Sequence, residues 1–341
     1  MALWFSDRWL WDFWLATDGP DYHLFFLQAP RALGDPELRH WNVSIGHAVS
    51  QDLRRWEVLP DALAPEAEPA WDDYTTWTGS VVRHAGRWWM FYTGTSRRED
   101  GRIQRVGMAT SHDLITWERY GKPVLEADPA WYELLDPAVW YEQAWRDPWV
   151  FRDDSGAFHC LITARARSGD PDTRGVIGHA TSEDLLDWTV RPPITAPGVF
   201  GHLEVPQVER MGGAWRLLFS APAAPRRVWE QHPPARRPGT HVLSSDRPLG
   251  PYDWGTHQAL DAAPHDGVLY GGRLVRQGAD WQLLSWIERG PGGTFTGVLT
   301  DPVPVAVVDG RIAVRADLSQ RIAGGEAAQR PGRPAPRRPR P

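Results

Sequence analysis

Apolar and polar residues alternate in short runs along most of the chain. Five of these runs are dense in aromatic and aliphatic residues: Tyr22-His23-Leu24-Phe25-Phe26, Arg87-Trp88-Trp89-Met90-Phe91-Tyr92, Ala157-Phe158-His159-Cys160-Leu161-Ile162, Ala214-Trp215-Arg216-Leu217-Leu218-Phe219 and Asp280-Trp281-Gln282-Leu283-Leu284. Aromatic and β-branched residues at a period of two, bounded by Gly, Asp, Ser or Pro, predict strands, and almost nothing here predicts helix. A further element follows the first three runs. Ile45-Gly46-His47-Ala48-Val49-Ser50-Gln51-Asp52-Leu53-Arg54-Arg55-Trp56 recurs at Val106–Trp117 and at Ile177–Trp188, displaced by 61 and 71 residues. A looser copy, His241-Val242-Leu243-Ser244-Ser245-Asp246, leads on to Trp254.

Such repeats imply stacked or radial units. About 65 residues per unit suits a four-stranded antiparallel sheet with its loops, and five such sheets in a ring make an all-β, five-bladed β-propeller, which leaves only short strand edges. A linear solenoid is the alternative, and the lack of a recognisable polar capping repeat argues against it. The repeated Ser-x-Asp-Leu-x-x-Trp reads as a turn followed by a blade-packing tryptophan. The propeller is expected over residues 1–320.

In a propeller the innermost strand of each blade lines the axis. Here it is expected about ten residues before each dense run, at Trp9–Trp14, Thr76–Val81, Trp145–Trp149, His202–Gln207 and His265–Gly271. Asp12, Asp147 and Glu204 each precede the aromatic of the following strand (His23, Phe158, Trp215) by 11 residues, which predicts one common register for the three carboxylates. Burying a carboxylate in an apolar strand is costly, and like charges in one confined site push their pKa values apart. One can then stay protonated while another is ionised, as glycosidic cleavage requires. The blander reading pairs each with an arginine, Arg146 beside Asp147 and Arg210 near Glu204.

Composition sharpens this picture. There are 21 tryptophans in 341 residues, and Trp11, Trp14, Trp77, Trp145 and Trp149 fall in the expected inner strands, where flat amphipathic rings suit sugar faces. The net charge of -6 includes a Pro/Arg-rich tail: residues 322–341 hold five arginines and one glutamate, a local +4 that leaves -10 on the rest. An acidic body disfavours nucleic acid as a partner, and the tail, residues 321–341, is expected to be disordered. Apolar runs are too short to span a membrane, the first residues do not read as an export signal, and the single Cys160 suits a reducing compartment, so a cytoplasmic location is expected.

Several motifs resemble a known family. Tyr22–Phe26 with Gln28-Ala29-Pro30, Gly46–Leu53 and Trp56–Leu63 closely resemble the first blade of glycoside hydrolase family 32, the invertases, levanases and inulinases. Trp77-Thr78-Gly79-Ser80, Arg146-Asp147-Pro148 and Glu204-Val205-Pro206 resemble that family's Trp-Ser-Gly-Ser, Arg-Asp-Pro and Glu-Cys-Pro, and Tyr270 stands where the family often has a blade-five aromatic. The likeness covers about residues 9–315. It implies a retaining hydrolase of β-fructofuranosides such as sucrose or short fructans, with Asp12 as nucleophile, Glu204 as acid/base and Asp147, with Arg146, as transition-state stabiliser. It further implies substrate contacts from Trp11, Gln28, Trp77, Ser80, Arg146 and Tyr270. Two departures stand out: Trp11-Asp12-Phe13-Trp14 is closer to the Trp-Asp-x-Trp of the family 68 levansucrases, and Val205 replaces the usual cysteine.

The competing readings are an inverting arabinofuranosidase or xylosidase of the related family 43, and a non-catalytic glycan-binding propeller. No cofactor motif is found, neither a phosphate-binding glycine loop nor a His-Glu-x-x-His metal motif. His47 and His179 belong to the repeat and read as structural, and no metal ligands are nominated.

Overall fold

The computed structural model describes residues 3–260, 269–290 and 293–314. The expected tail, 321–341, and positions 265–268 of the fifth expected inner strand lie outside these residues.

Five antiparallel sheets form the ring, each running in order from the axis outward. The first comprises β1 (Arg8–Asp18), β2 (Asp21–Pro30), β3 (Ser44–Ser50) and β4 (Glu57–Leu63). The second comprises β5 (Thr75–His84), β6 (Arg87–Thr95), β7 (Arg105–Ser111) and β8 (Glu118–Arg119). The third has β9 (Trp145–Arg152), β10 (Phe158–Arg165), β11 (Gly175–Ser182) and β12 (Trp188–Arg191), and the fourth β13 (Glu204–Met211), β14 (Ala214–Ala221), β15 (Gly239–Ser245) and β16 (Asp253–Ala259). The fifth has β17 (Leu269–Gln277), β18 (Asp280–Arg289), β19 (Phe295–Leu299), β20 (Val303–Val308) and β21 (Arg311–Val314). Its third position is split: β19 pairs one half of β18 and β20 the other. Helix among the described residues is limited to short 3-10 segments, and none is long and apolar enough to cross a membrane.

The sequence pattern explains the layering. The second strand of a blade is covered on both faces by neighbouring blades, so β10 is buried at every position, the polar His159, Thr163 and Arg165 included. Outer strands face water, and β4 is exposed or half-buried at every position but its last, Leu63. Their shortness and polarity protect the sheet edges.

The repeated Ser-x-Asp-Leu-x-x-Trp is a turn. Asp52 Oδ1 accepts from the backbone N–H groups of Arg54 and Arg55 at 2.8 and 2.7 Å, and Asp113 and Asp184 do the same in their copies. The next residue, Leu53, Leu114 or Leu185, is driven to positive φ and fully buried, and the Trp117 and Trp188 indoles donate to the carbonyls of Leu114 and Leu185. His47 and His179 are interior residues: the His23–His47, His159–His179 and His241–His257 ring nitrogens lie 2.9, 3.0 and 3.0 Å apart. Among the described residues, no three His, Cys, Asp or Glu side chains are grouped to hold a metal.

The ring closes without a shared sheet. Leu299 N–H donates to the Leu3 carbonyl at 3.1 Å, Tyr22 Oη to the Arg276 carbonyl at 3.0 Å, and Arg31 to the Thr296 carbonyl at 2.9 Å, all between blades one and five.

Candidate active site

Every inner strand carries a β-bulge at one height, and these bulges build the site. Trp11 pairs with Leu27 but Phe13 with Phe26; Trp77 pairs with Thr93 but Gly79 with Tyr92. In the other blades Arg146, Glu204 and Tyr270 pair with Thr163, Ser220 and Trp286, and the ladder resumes at Trp149–Leu161, Gln207–Leu218 and Arg273–Leu284. Each inner strand thus has one residue more than its neighbour, which bends it and re-aims its side chains.

Aligned on the bulge, the blades supply two rings of positions. Trp11, Trp77, Arg146, Glu204 and Tyr270 form one, and Asp12, Thr78, Asp147, Val205 and Gly271 the next. The common register expected for the three carboxylates is therefore corrected: Asp12 and Asp147 share it, and Glu204 sits one residue earlier. Equal spacing misled because the anchors are not equivalent. His23 pairs with Ala16, four residues past Asp12, whereas Phe158 pairs with Arg152, five past Asp147, and Trp215 with Arg210, six past Glu204.

The three acids nevertheless meet at the axis. Asp12 accepts from Trp286 Nε1 at 2.9 Å on one oxygen and from Thr78 Oγ1 at 3.1 Å on the other. Asp147 Oδ2 accepts from Thr163 Oγ1 at 2.8 Å and from the Val205 backbone N–H at 3.1 Å, with Arg146 Nε 3.6 Å away. Glu204 accepts from Arg146 Nη2 at 2.6 Å on Oε1 and from the Tyr270 hydroxyl on Oε2. Arg146 is held in turn by Glu142 at 2.8 Å and by Gln104 at 3.1 Å.

Backbone strain accompanies this arrangement. Asp147 and Val205 adopt φ of 58° and 52°, costly for residues with a side chain, and Gly271 holds the equivalent place at 60°. A Cβ on Gly271 would lie 2.7 Å from Trp286 Nε1 and 3.3 Å from Asp12 Oδ1. Glycine there lets Trp286 reach Asp12.

Burial, then the charges of Asp147 and Glu204, push the Asp12 carboxyl up to about 7, against the two hydrogen bonds that favour its ionised form. Burial likewise raises Asp147, and Glu204 adds to the rise while Arg146, Thr163 and the Val205 N–H oppose it. For Arg146 burial acts downward, but Glu142, Glu204 and Asp147 outweigh it and hold the guanidinium firmly protonated. The cluster so provides one carboxyl poised to ionise near neutrality and another held by an arginine on one oxygen and a phenol on the other.

The expected binding residues divide. Arg146 and Tyr270 touch Glu204, and Trp11 and Trp77 form a wall with the segment Pro36–Trp41: Trp11 lies edge-on to His40, and Trp77 Nε1 donates to the His40 carbonyl at 2.9 Å. Gln28 and Ser80 stand apart. Gln28 is engaged by Arg8, Ser44 and Asp61 within blade one, and Ser80 Oγ accepts from the Val150 N–H. Sequence reading missed Trp286, Thr78, Glu142, Gln104 and Arg273. Arg273 is fully buried beneath the acids, donating from Nη1 to the carbonyls of Val205 and Pro206 at 3.1 and 2.6 Å and from Nε to that of Phe13 at 3.3 Å.

Comparison with known proteins bears on family and fold. A 6(G)-fructosyltransferase of Asparagus officinalis is 37% identical over 131 residues, 35% of this chain and 20% of the relative. A sucrose-6-phosphate hydrolase of Bacillus subtilis is 28% identical over 208 residues, 58% of this chain and 38% of that protein. The matched stretches thus span well under half the length of these relatives. Among solved structures, an inulosucrase from Halalkalicoccus jeotgali bound to kestose superposes with a TM-score of 0.73 at 21% identity, covering 91% of this chain and 87% of the other, a likeness of fold. The family model for the glycosyl hydrolases family 32 N-terminal domain matches residues 15–229, which include Asp147 and Glu204 and begin just after Asp12. That match takes in well over half of the residues, and the chain belongs to glycosyl hydrolase family 32.

Proposed function

We propose that this chain is a retaining hydrolase of β-fructofuranosides, with sucrose or short fructans as substrates. The observation that carries this reading is the placement of Asp12 and Glu204 in one pocket with different partners: indole and hydroxyl donors on Asp12, a guanidinium and a phenol on Glu204. Family membership and the fructoside activities named for the relatives support it.

In the first step ionised Asp12 attacks the anomeric carbon, the bond to the leaving oxygen breaks, and Glu204 gives that oxygen its proton. In the second, Glu204 takes a proton from water, or from an acceptor hydroxyl in transfer, and the new oxygen displaces Asp12. Asp147 and Arg146 hold fructosyl hydroxyls as charge develops on the ring. No cofactor or metal takes part in this scheme. The single, buried and unpaired Cys160 supports a cytoplasmic enzyme working on imported sugars.

Chromatographic assay of sucrose, levan, inulin and aryl arabinofuranosides, with the anomer of the first product followed by NMR, tests this. Release of fructose with retention, abolished by Asp12→Ala, is expected. Arabinoside cleavage with inversion would replace this reading with a family 43-like one, and fructoside binding without turnover would leave a glycan-binding propeller.

A further inference from the structure

The mouth of the pocket between blades one and five carries two charged side chains that the chemistry above does not use. Glu288 stands two residues beyond Trp286 on β18, so both side chains leave the same face of the strand. Ile287, between them, lies opposite Leu269 of β17, and Glu288 follows it, one residue before the end of β18 at Arg289. Glu288 is half-buried, lies 3.7 Å from Arg289 Nε, and feels the charges of Arg289, Arg39 and Glu204. Arg39 comes from the opposite wall, the 3-10 segment Pro36–Trp41. Its guanidinium lies 4.0 Å over the Phe295 ring and 5.7 Å from that of Trp11, and it feels the charges of Asp12 and Glu288.

Arg39 is only 7% exposed, yet its donors are under-used. Among the described residues only Nη1 is engaged, by the Pro36 carbonyl at 2.8 Å and Glu37 at 3.2 Å, while Nε is buried without an acceptor. A buried donor left unmade is costly, and a ligand acceptor would relieve it. An acceptor-only carboxylate facing a donor-only guanidinium is complementary to the hydroxyls of a sugar, which both donate and accept.

Charge narrows the ligand. Asp12, Asp147, Glu204, Glu142 and Glu288 face or border the pocket, against Arg39, Arg146, Arg273 and Arg289, which pairs with Glu288, so carboxylates remain in excess by one. Arg39 also already faces Glu37. A phosphate on the leaving sugar would enter an acidic mouth beside Glu288, whereas a neutral polyol would not be repelled.

The geometry points to Arg39 and Glu288 as the pair that reads the leaving sugar, and to an uncharged, non-phosphorylated sugar as the one it accepts. This rests on the fructosidase reading above and deepens it, since relatives named for sucrose-6-phosphate hydrolysis share the family. The test is kcat/KM on sucrose, sucrose 6-phosphate and methyl β-D-fructofuranoside, whose methanol leaving group has no sugar hydroxyls to read. Sucrose is expected to exceed sucrose 6-phosphate at least tenfold. Glu288→Gln and Arg39→Met are each expected to lower kcat/KM on sucrose about ten- to hundredfold while leaving the methyl fructoside within about threefold of the wild type. The methyl fructoside also reports whether each variant has folded with its centre intact. Preference for sucrose 6-phosphate, or equal loss on sucrose and methyl fructoside, overturns the inference while the fructosidase reading stands. No turnover of any of the three by the wild type sinks that reading, and this inference with it.

Discussion

Trp286 of the fifth blade donates its indole N–H to Asp12 of the first at 2.9 Å, across the gap where the ring closes. The bond favours the ionised carboxylate, so it works against the burial that raises Asp12 to about 7. Trp286→Phe keeps a ring against Tyr270 and Phe295 but removes the donor. The expected result is a shift of the acidic limb of the kcat/KM profile to higher pH, by about half a unit to one unit, with a loss of about three- to tenfold at pH 6. The profile on a fructoside, measured from pH 4 to 8, checks this.

Asp12 also sets a pH dependence of stability. Its carboxyl ionises near the ordinary 3.8 in the unfolded chain and at about 7 in the folded one. Between these values the folded state holds the extra proton, so this contribution falls as pH rises through the window, by about 1.4 kcal/mol per unit and about 4 kcal/mol in all. Asp12→Asn is therefore expected to be inactive but more stable than the wild type at pH 8, with the difference vanishing near pH 4. Urea unfolding at several pH values provides the measurement.

The paired histidines act in the opposite sense. Burial, seconded by the partner ring, holds His47 and His241 near 3 and His179 near 4, and burial with nearby His232 does the same for His257. Below the ordinary 6.5 the unfolded chain takes up protons that the fold refuses, so stability declines as pH falls from 6.5 toward 4, by about 1.4 kcal/mol per unit for each group. The second blade has Met108 at the equivalent position of the repeat. His179→Met is expected to flatten the acid decline by about one such increment, visible as a smaller drop in thermal midpoint between pH 6.5 and 5.

Arg273 ties carbonyls of blades one and four together beneath the acids. Burial lowers it to about 10, which leaves it charged at neutral pH, with Asp12 and Asp147 as its nearby anions. Arg273→Met is expected to cost about 3 kcal/mol of stability and to move the acidic limb of activity upward, because the ionised form of Asp12 loses a cation. Arg273→Lys should restore the limb more than the stability, since a single ammonium cannot span carbonyls from two blades. Chemical denaturation and the pH profile separate the two effects.

The blades, their strand order and the three acids are legible in the sequence because a 61- to 71-residue repeat exposes them. The register of Glu204 is not, because the hairpins after the inner strands differ in length and a count from the next aromatic absorbs that difference. Trp286 escapes notice for another reason: it comes from a second strand, and only the bulge at Gly271 lets it reach the axis. Thr78 could have been found, since it stands between Trp77 and Ser80 in the register of Asp12. Arg39, Gln104 and Glu142 arrive on loops whose path no periodicity records.

The bulge present in all five inner strands makes the propeller a wheel with equivalent sockets. Each spoke offers two consecutive seats at the hub, and the second holds a carboxylate in two blades and threonine, valine or glycine in the other three. The chemistry of the hub is therefore written in ten side chains rather than in the frame, and a different reaction would need new occupants but no new wheel.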